Sequence, residues 1–257
     1  MLSNRADTLL VLADSLAFYG PVGGLPADDP RLWPNIVAAQ LGLRAHLSAR
    51  VGWTTRDAWW ALTQDPMVWS VVPRARAVVI AVGGMDSLPS PVPTALRESM
   101  RYVRPPGLRR LVRSGYRRLQ PVLAPVGWPM ALPPRLTVEY LEQIRSALSA
   151  VRPDLPIIAS LPPLHHSRHY GYVQPGQPRT SRAIADWAAQ HAVPLVDLPG
   201  ATISHLRAGE GNPDGIHWNF DAHRRVAAHM HTAIVSVVGE LAACVPQPAG
   251  AQRKTVH

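Results

Sequence analysis

A chain of 257 residues, 47% hydrophobic and 17% charged, can bury a substantial core and is too apolar for wholesale disorder. No apolar stretch reaches the ~20 residues of a membrane-spanning helix, and MLSNRADTLLVLADS lacks the basic start and cleavage site of a secretory signal, so a cytoplasmic location is expected. The net charge of +9 rests on arginine, Lys254 being the only lysine; it suits anionic partners, while no zinc-finger or RNP signature supports nucleic acid.

In chain order, TLLVLA (8–13) is the first apolar run and reads as a buried parallel strand. PNIVAAQLG follows as a helix, then AHLSARVG (45–52) as a less regular strand and RDAWWALT as a second helix. RAVVIAVG (76–83) is again strand-like. Residues 88–135 break the alternation, being rich in Pro and Arg. Within them LRRLVRSGYRRL spaces its apolar residues as a basic amphipathic helix. Next come the helix TVEYLEQIRSALSAV, the strand PIIASL (156–161), a long loop over 162–180, the helix SRAIADWAAQHA and the strand PLVDL (194–198). A long helix starting at FDAHRRVAAHMH ends the pattern. Five strands separated by helices predict an α/β fold, a three-layer sandwich around a parallel five-stranded sheet. The expected organisation is one domain over 1–241, with a cap-like basic helical insert at 88–135 and a disordered tail at 242–257. Cys244 cannot form an internal disulfide.

Ligands of such sheets bind beyond the C-terminal strand ends, and four short segments fall there. Ser15 follows the first strand in ADSL, Gly52 follows the second, Gly83-Gly84-Met85-Asp86 ends the third, and Asp214-Gly-Ile-His217 precedes the last helix. A nucleophilic serine needs an imidazole to take its proton and a carboxylate to orient that imidazole. Each segment also has a plainer reading. Ser15 could cap a helix, His217 could be a packing histidine, and Gly52 and Gly84 could be turn residues with unusual backbone angles. Asp14 is expected to make a structural hydrogen bond in the turn.

Taken in order, ADSL, Gly52, GGMD and DGIH resemble the four sequence blocks of the SGNH, or GDSL-type, hydrolase superfamily, across nearly the whole domain. The resemblance implies a flavodoxin-like sheet. It also implies Ser15 as nucleophile, His217 as general base and Asp214 as its orienting partner, with the N–H groups of Ser15 and Gly52 as oxyanion donors. Ala13 stands where the first block has glycine. More consequentially, Met85 stands where the third block has an asparagine whose side chain donates a further oxyanion hydrogen bond. A thioether cannot donate, and one such donor is worth ~10²–10³ in rate. Either two backbone donors suffice, another group fills the gap, or the chemistry is not ordinary ester hydrolysis.

Gly84, Met85 and Asp86 are expected to contact substrate, Asp86 by positioning a hydroxyl. His165 and His166 are expected at the rim of the acyl or acceptor pocket, where His165, His166 and His169 lack the Cys or carboxylate partners of a familiar zinc site. No metal and no resident cofactor are expected. An acyl-enzyme of this kind is a hydrolase if water takes the acyl group and a transferase if a sugar hydroxyl does. The basic insert and long rim loops favour an activated donor, acyl-CoA; an anionic glucoside acceptor is what the resemblance implies. Arginines suit both by bidentate pairing. The insert also fits an acidic carrier protein or a membrane surface. The alternatives are an esterase or thioesterase with the same triad, and a non-catalytic lipid- or carbohydrate-binding protein marked by Met85.

Overall fold

In the computed structural model the described residues are 7–90, 102–127 and 129–244. Strand β1 (Thr8–Asp14) is buried along its full length and lies inside the sheet, paired on both sides. A small antiparallel ribbon of β2 (Tyr19–Gly20) and β3 (Gly23–Gly24) follows it, then β4 (Arg44–Arg50), β5 (Ala75–Ala81), β6 (Ile157–Ser160) and β7 (Leu195–Val196). The order β4-β1-β5-β6-β7 is parallel throughout, as the five predicted strands require.

Because successive side chains of a strand point to opposite faces, β1 feeds two cores. Leu9 and Val11 pack with Val79, Trp33, Trp218 and Met230, under helices α1 (Trp33–Gln40), α7 (Leu198–Arg207) and α8 (Phe220–Cys244). Leu10 and Leu12 pack on the other face with Val78, Ile80, Leu62, Ile144 and Trp187. That face is covered by α2 (Thr55–Gln64), α5 (Pro134–Val151) and α6 (Gln177–Gln190); the four-residue α3 (Pro66–Trp69) closes off α2. Fully burying each such side chain contributes about 1.5–3 kcal/mol, so register along β1 is strongly specified, and with it the position of the residue that follows.

The exceptions to the expected pattern are local. β4 is an edge strand, half-buried rather than buried on both faces, which explains its weak apolar signature. The run at 194–198 yields only two strand residues, because Asp197 accepts a hydrogen bond from the Gly200 N–H and starts α7, which carries Pro199 in its first turn. Asp-Leu-Pro-Gly is a start signal of this kind, yet the sequence reading treats the segment as strand and loop. The insert holds α4 (Pro106–Leu123), which fits the predicted basic amphipathic helix. Its flanks are tied down by hydrogen bonds from Ser90 to Pro129 and from Ala131 to Leu88. Residues 91–101 of the insert lie outside the described residues, as do 245–257 of the expected tail. α8 runs through Cys244, past the expected boundary at 241.

Candidate active site

β1 delivers its last residue, Asp14, to the C-terminal edge of the sheet. There the Asp14 carboxylate, not Ser15, caps the single 3₁₀ turn Ser15–Ala17 by accepting the Leu16 N–H at 2.9 Å. The Ser15 hydroxyl is thereby left for another partner, and it lies 2.9 Å from Nε2 of His217. Nδ1 of His217 is 2.5 Å from Oδ2 of Asp214. A carboxylate at Nδ1 keeps the proton there and leaves Nε2 to accept from the serine. Asp214 is itself fixed, since its Oδ1 accepts the N–H groups of Ile216 at 2.8 Å and His217 at 3.0 Å. Burial alone would raise the Asp214 pKa, but the hydrogen bonds from the His217 ring and from these two amides outweigh it, and the carboxyl lies below its ordinary value.

Neighbouring residues hold His217 in place. The Tyr19 ring stacks on His217 with centroids 4.2 Å apart and planes 26° apart. Tyr19 is held by the buried His223, which donates from Nε2 to the Tyr19 carbonyl and accepts the Trp33 N–H at Nδ1. That pairing needs a neutral ring, and burial pushes the His223 pKa down to about 4. Gly215 has a φ of +71°, and any side chain there would collide with the His166 carbonyl. The His166 N–H in turn donates to the Gly215 carbonyl at 2.7 Å, binding the rim loop to the Asp214–His217 turn.

Gly52 sits in the turn between β4 and α2 with a φ of +76°, and Met85 is its neighbour: a Cβ on Gly52 would lie 3.9 Å from the Met85 Cε. The turn is anchored twice. Thr54 and Asp57 form a reciprocal capping box at the start of α2. The Thr55 N–H donates to Asp86 at 3.0 Å, and the hydroxyls of Thr55 and Thr137 donate to the same carboxylate at 2.6 and 2.9 Å. Asp86 is therefore a structural clamp between β5, α2 and α5. It is fully buried and is not among the residues lining the cavity at Ser15, which corrects the expectation that it positions a substrate hydroxyl. Burial raises its pKa to about 6 despite these donors. Asp14 is raised to about 6 for the same first reason, burial.

Ser15, Asp14, Gly84, Met85, Leu88 and His165 are among the residues lining a cavity of about 30 Å³. Space of that size holds water but no acyl chain, so substrate entry requires side chains to move; Met85 has the torsional freedom to do so. Gly84 faces this cavity from a tight site, where a Cβ would approach the Pro163 ring to 3.1 Å. His165 helps to line the cavity; His166 lies outside that lining, on the rim loop, where its ring is exposed and packs on Tyr172, with centroids 4.8 Å apart. Larger grooves of about 540 and 650 Å³ lie along β4 and α2 and at the N-terminal strand ends, away from Ser15. Among the described residues no group of three His, Cys, Asp or Glu side chains is arranged to hold a metal ion, and no helix is long and apolar enough to cross a membrane.

Residues 14–225 match the GDSL-like Lipase/Acylhydrolase family. The chain belongs to that family. It is 58% identical to the diglucosylglycerate octanoyltransferase of Mycolicibacterium hassiacum over 91% of this chain and 97% of that protein. It is also 58% identical to the diglucosylglycerate octanoyltransferase of Mycobacterium tuberculosis, over 90% of this chain and 93% of that protein. Among solved structures, the lipase/acylhydrolase from Enterococcus faecalis is similar with a TM-score of 0.59. Its sequence identity is 14%, over 91% of this chain and 96% of that one, a likeness of fold alone.

Within this GDSL-like framework α4 packs on the rim turn at Arg168–Tyr170 and Gln120 reaches the Pro89 carbonyl; among the described residues of the insert, Leu88 lines the Ser15 cavity and α4 does not. Tyr19, His223, Thr55 and Thr137 escape the sequence reading. Tyr19 stands inside the ADSLAFYG segment and could have been found there, whereas His223, Thr55 and Thr137 carry no local signal because their partners are 31 to 204 residues away.

Proposed function

We propose that the protein is a serine acyltransferase that moves an octanoyl group from acyl-CoA, through octanoyl-Ser15, to a sugar hydroxyl of diglucosylglycerate. The observation that carries this reading is the Ser15–His217–Asp214 chain of hydrogen bonds in a sequence 58% identical to two diglucosylglycerate octanoyltransferases. The product would serve as an early intermediate of methylglucose lipopolysaccharides. The proposed donor is a cytoplasmic metabolite, and the protein is placed there with it.

In the first half-reaction His217 Nε2 takes the Ser15 proton as Oγ attacks the thioester carbonyl. The tetrahedral oxyanion accepts from the Ser15 and Gly52 N–H groups, the C–S bond breaks, and the thiolate leaves with the proton held by His217. In the second half-reaction His217 removes a proton from the sugar hydroxyl, whose oxygen attacks the acyl carbonyl. The C–O bond to Ser15 breaks and the serine regains its proton. Asp214 stays ionised throughout and stabilises the imidazolium of each step. The excess arginine suits the phosphates of the donor and the glycerate carboxylate of the acceptor, and the exposed basic face of α4 suits an acidic carrier protein as an alternative acyl source.

The test is to supply octanoyl-CoA with and without diglucosylglycerate and to follow free thiol and acylated sugar. Thiol release that depends on the acceptor, with one ester formed per thiol, supports the transferase. Equal release without acceptor makes the protein a thioesterase. Absence of any release, together with no labelling of Ser15 by a fluorophosphonate, makes it non-catalytic.

A further inference from the structure

Met85 leaves the oxyanion site one donor short of the pattern that its sequence block resembles, and one ring in the same cavity has a hydrogen-bond donor to spare. His165 follows β6, is 8% exposed and helps to line the cavity shared by Ser15, Gly84 and Met85. Nδ1 accepts the Ser167 N–H at 3.2 Å, so the proton of the neutral ring must reside on Nε2. Nε2 is buried and has no hydrogen-bond partner among the described residues. Leaving a buried donor unmade costs about 1–3 kcal/mol, and such groups call for an explanation.

The surroundings hold this ring still. The His165 N–H donates to Oε1 of Gln174, whose amide nitrogen donates to the Pro163 carbonyl and the Ser87 hydroxyl. Tyr170 packs against the ring with centroids 5.0 Å apart. Burial, aided by the nearby His166 and His169, pushes the His165 pKa down to about 4, which keeps the ring a neutral donor at the pH where His217 must act as base. The cavity carboxylate that could oppose this is Asp14, and it is not bonded to Nε2. A neutral imidazole N–H is an effective electrophile toward a carbonyl oxygen.

We infer that His165 is a catalytic residue whose Nε2–H donates to the substrate oxyanion and supplies the hydrogen bond that Met85 cannot. When Ser15 Oγ bonds to the acyl carbon, the carbonyl electron pair moves onto oxygen, which accepts from the N–H groups of Ser15, Gly52 and His165; His165 keeps its proton throughout. The inference rests on the serine reading above and adds to it the identity of the third donor.

p-Nitrophenyl octanoate isolates the acylation step from the acceptor. His165→Leu is expected to lower kcat by ~10²–10³ with KM changed only a few-fold, and adding Met85→Asn to it is expected to restore at least a tenth of wild-type kcat. A His165→Leu variant with wild-type kcat, or with a raised KM alone, overturns the assignment. The wild-type protein provides a second reading that does not depend on the variant's fold. In ¹⁵N-histidine-labelled enzyme, an octyl phosphonate on Ser15 is expected to move the His165 Nε2–H resonance downfield; an unmoved resonance overturns the assignment. If wild type itself releases no p-nitrophenolate and takes no phosphonate, the serine reading has failed; if wild type reacts and the variant reacts equally, only the His165 role has.

Discussion

Asp14 offers the sharpest test of how the site is built, because its carboxyl is buried beside Ser15 and ionises only at about 6, against an ordinary 3.8. A raised carboxyl pKa means that the folded protein binds this proton more tightly than the unfolded chain does. Stability from this group is therefore fully present below pH 3.8 and is lost as pH rises through 6. The loss amounts to about 2.2 pH units at 1.36 kcal/mol each, or about 3 kcal/mol, most of it between pH 4 and 8. Asp14→Asn keeps an oxygen to accept the Leu16 N–H and removes the titration. Urea unfolding of both proteins across pH 4–8 should show the variant gaining stability over wild type by about 2–3 kcal/mol as pH rises, whatever other groups contribute to both curves. Two curves separated by a constant offset would refute the reasoning, since they would mean that Asp14 ionises as an ordinary exposed carboxylate.

Other outcomes follow from the same geometry. Asp86→Ala strands the Thr55 N–H and two threonine hydroxyls, and chemical denaturation should report a loss of about 3 kcal/mol; kcat should fall as well, through the turn bearing Gly52. Gly52→Ala meets no steric clash, its nearest neighbour being the Met85 methyl at 3.9 Å. A left-handed alanine nevertheless costs about 1–2 kcal/mol, so kcat should fall at least tenfold, or stability drop by that amount, and a variant unchanged in both would remove Gly52 from the oxyanion site. Asp214→Asn should reduce kcat by ~10⁴ through the wrong histidine tautomer while barely moving KM, as steady-state kinetics on p-nitrophenyl octanoate can check.

The sequence made the frame readable for a physical reason. Leu9 to Leu12 are apolar on both faces, a pattern only a central strand needs, so β1 and the residue after it were placed at once. The triad was readable because Asp214 and His217 share one turn and Ser15 ends the first strand. α7 is not readable in the same way, because Asp197, inside the predicted strand 194–198, caps that helix and cuts β7 to two residues. Asp86 was misread because its position beside Met85 suggested substrate contact, whereas its partners Thr55 and Thr137 lie 31 and 51 residues away and pull it into the interior. His165 is expected from the sequence only at the pocket rim, and its orientation depends on Ser167 and Gln174, which no spacing rule connects to Ser15.

The account stands most directly on the intermediate at Ser15. Rapid quenching of the protein with octanoyl-CoA, followed by intact-mass and peptide mass spectrometry, should find one octanoyl group on Ser15. That group should disappear on adding diglucosylglycerate, with the matching ester appearing on the sugar. Octanoyl-diglucosylglycerate formed at the wild-type rate by a Ser15→Ala variant, or a wild-type adduct located on any other residue, would contradict it.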